Sequence, residues 1–157
     1  VSRGLGDVYK RQERIQKILE ETEMNPKNLT LEVTESLAIN DMARMQQVLQ
    51  KIKELGVKVA LDDFGTGYSS LNHIREMPID VIKIDKCFID DLGQEPFDET
   101  FVRIVCELAA AIGMHVCVEG VESERQYDVL KNMQIKMIQG FYFGKPMTKV
   151  DFEKKYL

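Results

Sequence analysis

Four apolar runs in this sequence end on side chains that carry hard oxygen donors. Leu29-Thr30-Leu31 runs into Glu32, with Glu35 shortly after it, and Val57 to Leu61 runs into Asp62 and Asp63. His115 to Val118 runs into Glu119, with Glu122 after it, and Met137-Ile138 runs into Gln139. A single terminal Asp would mean little, because turns and helix caps are rich in Asp. Repeated endings of this kind, on parallel strands of one sheet, bring the groups together at one rim. Gathered carboxylates repel and raise one another's pKa unless cations neutralise them. Oxygen donors of this type suit Mg²⁺ or Mn²⁺. The spacing therefore predicts a site for one or two such ions, with turns and caps as the competing account.

Lys83 is a second candidate. It lies in Val81-Ile82-Lys83-Ile84-Asp85, which reads as a strand, and strands of a parallel sheet are covered on both faces. A lysine there needs a carboxylate or an anionic ligand, because an unpaired buried ammonium is costly. It either pairs with the acidic rim or points at a phosphate or an attacking water. The loop Asp62-Asp63-Phe64-Gly65-Thr66-Gly67-Tyr68-Ser69-Ser70 has glycines that permit a tight turn and serines that can cap a helix. Asp63-Phe64-Gly65 also spells the metal-binding triplet of protein kinases. No His-Arg-Asp precedes it and no Gly-x-Gly-x-x-Gly lies upstream, so a kinase is excluded.

The elements that must position these residues alternate along the chain. Helix is expected over Glu13 to Met24, then a turn at Pro26 and a strand over Leu29 to Glu35. Asn40 or Asp41 can cap a helix whose buried face holds Met45, Val48, Leu49, Ile52 and Leu55, closed by Gly56. A strand over Val57 to Leu61, a short helix from Ser70 to Glu76 stopped by Pro78, and a strand over Val81 to Ile89 follow. Asp98 is placed to cap a helix that Gly113 ends; His115 to Val118 is a strand; Ser123 and Gln126 suit a capping box. Lys136 to Phe143 is the last strand, and a helix over Val150 to Tyr156 closes the chain. Such alternation implies parallel strands joined by right-handed crossovers, hence an α/β fold. About five strand–helix units would make an open sheet outright, but only part of a (β/α)8 barrel of ~250 residues. Val1 to Gln12 shows neither period and reads as a non-native N-terminal scar, leaving residues 13–157 as the domain portion.

Composition narrows the classes further. The 157 residues are 44% hydrophobic and 30% charged, which excludes disorder for the whole. Lys+Arg 21 against Asp+Glu 26 gives a net charge of -5, so no bulk positive field attracts a nucleic acid polymer. The sequence shows no membrane segment, since its apolar stretches fall far short of the ~20 residues a spanning helix needs. Val1 to Arg11 carries charge and lacks the apolar core of a signal peptide. Cys87, Cys106 and Cys117 contain no Cys-x-x-Cys pair and read as reduced thiols of a cytoplasmic protein.

Taken in order, Glu32-Val-Thr-Glu35, Asp62-Asp-Phe-Gly-Thr-Gly-Tyr-Ser-Ser70, Lys83-Ile-Asp85, Glu119-Gly-Val-Glu122 and Gln139-Gly140 resemble the EAL family of cyclic di-GMP phosphodiesterases. The resemblance runs from about Glu13 to Leu157. It implies an incomplete TIM-like (β/α) barrel and hydrolysis of cyclic di-GMP to linear pGpG with a two-metal Mg²⁺ or Mn²⁺ site. Glu32, Asp62, Asp63 and Glu119 would be metal ligands, with Asp62 bridging both ions. Glu119 would alternatively help deprotonate the attacking water, and Lys83 would contact that water or a phosphate oxygen. Gln139 would help order the site. Glu35 would hold the Asp62–Ser70 loop in its metal-binding conformation, with Glu122 in a similar supporting role. The family also implies a homodimer through that loop region, an upstream GGDEF or sensor domain, and a parent that can be tethered to the inner membrane.

The sequence departs from the family pattern at its start. The Glu-Ala-Leu tripeptide and an Asn that supplies another metal ligand are absent, and both lie early in such a barrel. The chain is thus expected to be an N-terminally truncated, C-terminal part of the domain, inactive without those segments. The alternative is a degenerate receptor that binds cyclic di-GMP without cleaving it. Degenerate receptors lose rim carboxylates, and here Glu32, Asp62, Asp63 and Glu119 are all kept.

Overall fold

The computed structural model describes residues 5–36, 42–67, 71–94, 96–133 and 135–157. Five parallel strands form one sheet in chain order: β1 (Thr30–Thr34), β2 (Lys58–Phe64), β3 (Val81–Ile84), β4 (His115–Val118) and β5 (Met137–Ile138). The helices are α1 (Leu5–Thr22), α2 (Met42–Glu54), α3 (Leu71–Glu76), α4 (Pro96–Ala111), α5 (Glu124–Leu130) and α6 (Lys149–Tyr156). Strand and helix alternate as the sequence requires for a parallel sheet.

The period-two alternation of the strands separates the two faces. Val59 and Leu61 of β2, Ile82 and Ile84 of β3, and Val116 and Val118 of β4 enter the main core. There they meet Leu49 and Ile52 of α2, Ile74 of α3, Val102 and Val105 of α4, and Leu130 of α5. Each such fully buried side chain contributes about 1.5–3 kcal/mol through removal from water. On the opposite face Ala60, Val81 and Cys117 form a small separate cluster. Glu32, Asp62 and Lys83 share that second face by the same alternation, and Glu119 continues it just past β4. One face of the sheet holds the core and the other carries the charges.

Several boundaries differ from expectation. Helix α1 begins at Leu5 rather than Glu13, since a nucleated helix adds a hydrogen bond with each residue it gains. It ends before Met24 because Glu23 is left-handed at φ 53. Strand β2 runs through Asp62 and Asp63 to Phe64, which is buried and pairs with Ile84. The register shifts between Leu61 and Phe64, and Asp63 there has φ 56, the signature of a bulge that re-aims a side chain. Strand β3 stops at Ile84 because the Asp85 side chain accepts from Cys87 N at 2.9 Å and caps a 3-10 turn over Lys86–Phe88. Helix α4 starts at Pro96, whose fixed φ suits the first turn, so Asp98 lies inside that turn rather than capping it. Strand β5 is cut to Met137–Ile138 because the chain folds back at Gly140, where Phe143 N donates to Gly140 O at 3.1 Å. The capping box at Ser123 and Gln126 forms as expected. The Asn40 or Asp41 cap, and the Tyr68 to Ser70 end of the glycine loop, lie outside the described residues. Among the described residues no helix is long and apolar enough to cross a membrane.

Candidate active site

Parallel pairing aligns the C-terminal ends of the strands, and the rim groups meet there around one cation. The Lys83 Nζ lies 2.7 Å from Glu32 Oε1, 2.9 Å from Asp62 Oδ1 and 2.7 Å from Glu119 Oε1. Three strands thus aim carboxylates at a lysine on the strand between them, whose side chain is only 7% exposed. Burial alone would pull the ammonium down, but the contacts with Glu119, Glu32 and Asp62 outweigh it and raise its pKa. Lys83 is therefore a fixed positive charge across the physiological range. The buried Asp62 Oδ1 has the ammonium as its close partner.

The other expected residues take different places. Gln139, just past β5, donates from Nε2 to Glu119 Oε1 at 2.5 Å and orients that carboxylate. Asp63 stands beside the cluster with its pKa raised, first by burial and then by Asp62 and Asp85, with Lys83 opposing. Glu35 is 2% exposed, and its Oε2 accepts from Gly65 N at 3.1 Å and Gly67 N at 3.2 Å. It thereby ties the start of the glycine loop to the end of β1. Gly67 is required there, because a Cβ would approach the Glu35 Cδ to 2.8 Å. Glu122 instead pairs with Lys86 at 2.5 Å, and among the described contacts it does not reach the loop. Cys117, the register partner of Lys83 on β4, has its thiol pushed up to about 11, chiefly by burial. It is protonated and takes no part as a thiolate.

A groove of about 710 Å³ runs from Glu119 and Gln139 past Lys86 and Glu122 to Phe141 and Tyr156. Lys86 follows directly on Lys83-Ile-Asp85, but its role as the partner of Glu122 had no signal in spacing. The run Phe141-Tyr142-Phe143 reads as strand by composition, yet it turns at Gly140 and packs on Tyr127.

Acidic, oxygen-rich ends gathered at one rim of a five-strand parallel sheet mark an α/β domain, and the solved EAL domains it resembles are TIM-barrel-like. The family model for the EAL domain matches residues 10–146, and the chain belongs to the EAL domain family. The chain is 39% identical over 142 residues to cyclic di-GMP phosphodiesterase PdeR of Escherichia coli (strain K12), covering 90% of this chain and 22% of PdeR. It is 37% identical over 124 residues to the bifunctional diguanylate cyclase/cyclic di-GMP phosphodiesterase MucR of Pseudomonas aeruginosa, covering 79% of this chain and 18% of MucR. The solved c-di-GMP complex of PaMucR phosphodiesterase superposes with a TM-score of 0.83 at 34% identity, over 88% of this chain and 56% of that one. The manganese/cy-diGMP complex of Klebsiella pneumoniae BlrP1 gives 0.78 at 30% identity, over 84% of this chain and 34% of that one. The chain spans about a fifth of the length of the two curated relatives.

Proposed function

We propose that this chain carries most of the active-site rim of a cyclic di-GMP phosphodiesterase that uses two divalent ions, Mg²⁺ or Mn²⁺. The convergence of Glu32, Asp62 and Glu119 around Lys83 carries the reading. The donor set fits the ions: the groups are hard carboxylate oxygens that three strand ends gather around one point. The raised Asp63 carboxyl is what a nearby dication would reverse. Among the described residues no three acidic, His or Cys side chains stand in chelating array; Glu32, Asp62 and Glu119 instead each contact the Lys83 ammonium. Glu32, Asp62, Asp63 and Glu119 would hold the ions, which when bound polarise a phosphate oxygen and acidify water.

The remaining work falls to the chain's own residues. Glu119, held by Lys83 and Gln139, would serve as a further metal ligand or take a proton from the attacking water. That water oxygen would bond to one phosphorus as one P–O ester bond breaks, and the departing sugar oxygen would take up a proton from solvent, giving linear pGpG. Lys83 steadies the negative charge that develops on the phosphate oxygens. Glu35 and Gly67 hold the loop that follows Asp62 and Asp63. A homodimer through the 62–70 loop, a GGDEF or sensor neighbour and a cytoplasmic location belong to the same reading; MucR, named as bifunctional, supports the first kind of neighbour. The test is hydrolysis by the chain extended upstream with a segment bearing Glu-Ala-Leu and the Asn, followed as pGpG. Asp62→Asn in that protein should cost on the order of a thousandfold in rate, roughly 4 kcal/mol of barrier. Tight binding of cyclic di-GMP with no product would assign the receptor reading instead.

A further inference from the structure

We infer that Phe101 of α4 and Phe88 of the turn after β3 are positioning residues, whose rings wall in the glycine loop and so hold Asp62 and Asp63 in place. The loop starts from an unfavourable backbone. Asp63 is left-handed at φ 56, a conformation that costs an L-residue free energy, though less for Asp than for most. Such geometry persists where the surrounding structure leaves no alternative. Glu35 supplies one constraint, through the bonds its carboxylate accepts from Gly65 N and Gly67 N.

The rings supply a second constraint, and it is steric. A Cβ built on Gly65 would meet Phe88 Cε2 at 2.6 Å and Phe101 Cζ at 2.7 Å, so both rings close on the Gly65 backbone. Gly65 is itself at φ 100, where only glycine is at ease. Phe88 and Phe101 stack with centroids 4.0 Å apart and planes 18° from parallel. Phe101 also stacks at 6.5 Å on Phe64, the residue between Asp63 and Gly65 that pairs with Ile84. The wall is anchored from two elements: Val102 beside Phe101 and Ile89 beside Phe88 are both fully buried. Close-packed rings of this kind transmit strain instead of absorbing it. Neither ring carries a polar atom, so their effect on Asp62 and Asp63 passes through the backbone up to Gly65. The consequence for metal rests on the two-metal reading above. Chains in which Asp63 relaxes hold the ions poorly, and apparent affinity falls with the fraction that keeps the bulge.

The test is amide hydrogen exchange and Mn²⁺ calorimetry on the full 157-residue chain, with Phe101→Leu, Phe88→Leu and Phe97→Ala. Leucine keeps each site apolar but lacks the ring atoms that meet Gly65. Phe97 is the control: it stacks on Phe101 at 6.4 Å, yet it is 69% exposed and is not among the nearest neighbours of Gly65. Phe101→Leu should speed exchange at Gly65 and Gly67 roughly tenfold or more while leaving Ile82 and Val116 unchanged. It should weaken Mn²⁺ binding by roughly fivefold, and Phe97→Ala should match the wild type in both readouts. If Phe101→Leu does not fold, Phe88→Leu carries the same comparison from the other ring. Loop exchange that neither leucine variant alters, or that Phe97→Ala quickens equally, would overturn the wall. Faster loop exchange with unchanged Mn²⁺ affinity would overturn its role in positioning the ligands. Faster loop exchange in a chain whose wild type binds no Mn²⁺ would uphold the wall and overturn the two-metal reading.

Discussion

Removing the Glu35 carboxylate should loosen the glycine loop by an amount that the hydrogen bonds fix. Glu35 Oε2 accepts from Gly65 N and Gly67 N at 3.1 and 3.2 Å, and the side chain is almost wholly buried. Hydrogen bonds to a charged acceptor contribute ~1.5–3 kcal/mol each, and a buried donor left unpaired costs a similar amount. The two amides share one oxygen and part of the loop reaches water, so about 2–3 kcal/mol is a fair sum for Glu35→Ala. That corresponds to a loop opening roughly 30- to 150-fold more often, at 1.4 kcal/mol per decade. Amide hydrogen exchange reads this directly, as loss of protection at Gly65 and Gly67 with little change at the core amides of Leu61 and Ile82. Because Asp62 and Asp63 lie just before the loop, Mn²⁺ affinity should fall in parallel, and Glu35→Gln, which keeps one acceptor, should fall between. Unchanged exchange at Gly65 and Gly67 would refute the assignment of Glu35 as the tether.

Three further outcomes are expected. The raised Asp63 carboxyl binds its proton more tightly in the folded chain, so metal-free stability should fall as pH rises from the ordinary Asp range through the raised value. Asp63→Asn should gain stability above that window and lose the gain below it; a melting-temperature difference that does not vary with pH would leave only the easier left-handed backbone of Asn. Gly140→Ala should cost at least ~2 kcal/mol in urea unfolding, because its Cβ would approach Val121 O to 2.0 Å and backbone cannot yield as a side chain can. On the proposed two-metal reading the chain by itself should give no pGpG above background, since its sequence holds no Glu-Ala-Leu; metal-dependent turnover by it would show that tripeptide to be dispensable.

The sheet was legible because its signals are periodic. Val59, Leu61, Ile82, Ile84, Val116 and Val118 announce strands by their spacing, and Ser123 with Gln126 announces the start of α5. Boundaries were lost wherever a tertiary bond overrode local pattern. Nothing local says that Phe64 will be drawn into β2 to fill the core, whereas the Asp85 bond to Cys87 N that ends β3 is itself local, spanning two residues and competing with the apolar strand pattern around it. The aromatic run after Gly140 has strand propensity, but propensity yields to packing on Tyr127. In the site, strand-end position was enough to find Glu32, Asp62, Glu119 and Gln139, because parallel pairing makes strand ends neighbours. The partner of Glu122 was not legible, since Lys86 and Glu122 are brought together only by the crossover between β3 and β4.

Lys83 shows why the same alternation that builds the core also builds the site. A residue on β3 faces either the helices or the other side, with no intermediate choice. Ile82 and Ile84 take the helix side and are fully buried, so Lys83 is committed to the side that Glu32 and Asp62 occupy. The small residues Ala60, Val81 and Cys117 cluster on that face, with Ala60 beside Glu32 and Cys117 beside Lys83 in register, and their short side chains leave room for the long polar ones to converge. A one-residue slip of β3 would bury the ammonium among Leu61 and Val116 and leave three carboxylates without a counter-charge. The charge cluster therefore selects the register as firmly as the hydrophobic core does, and both penalties fall on the same mistake.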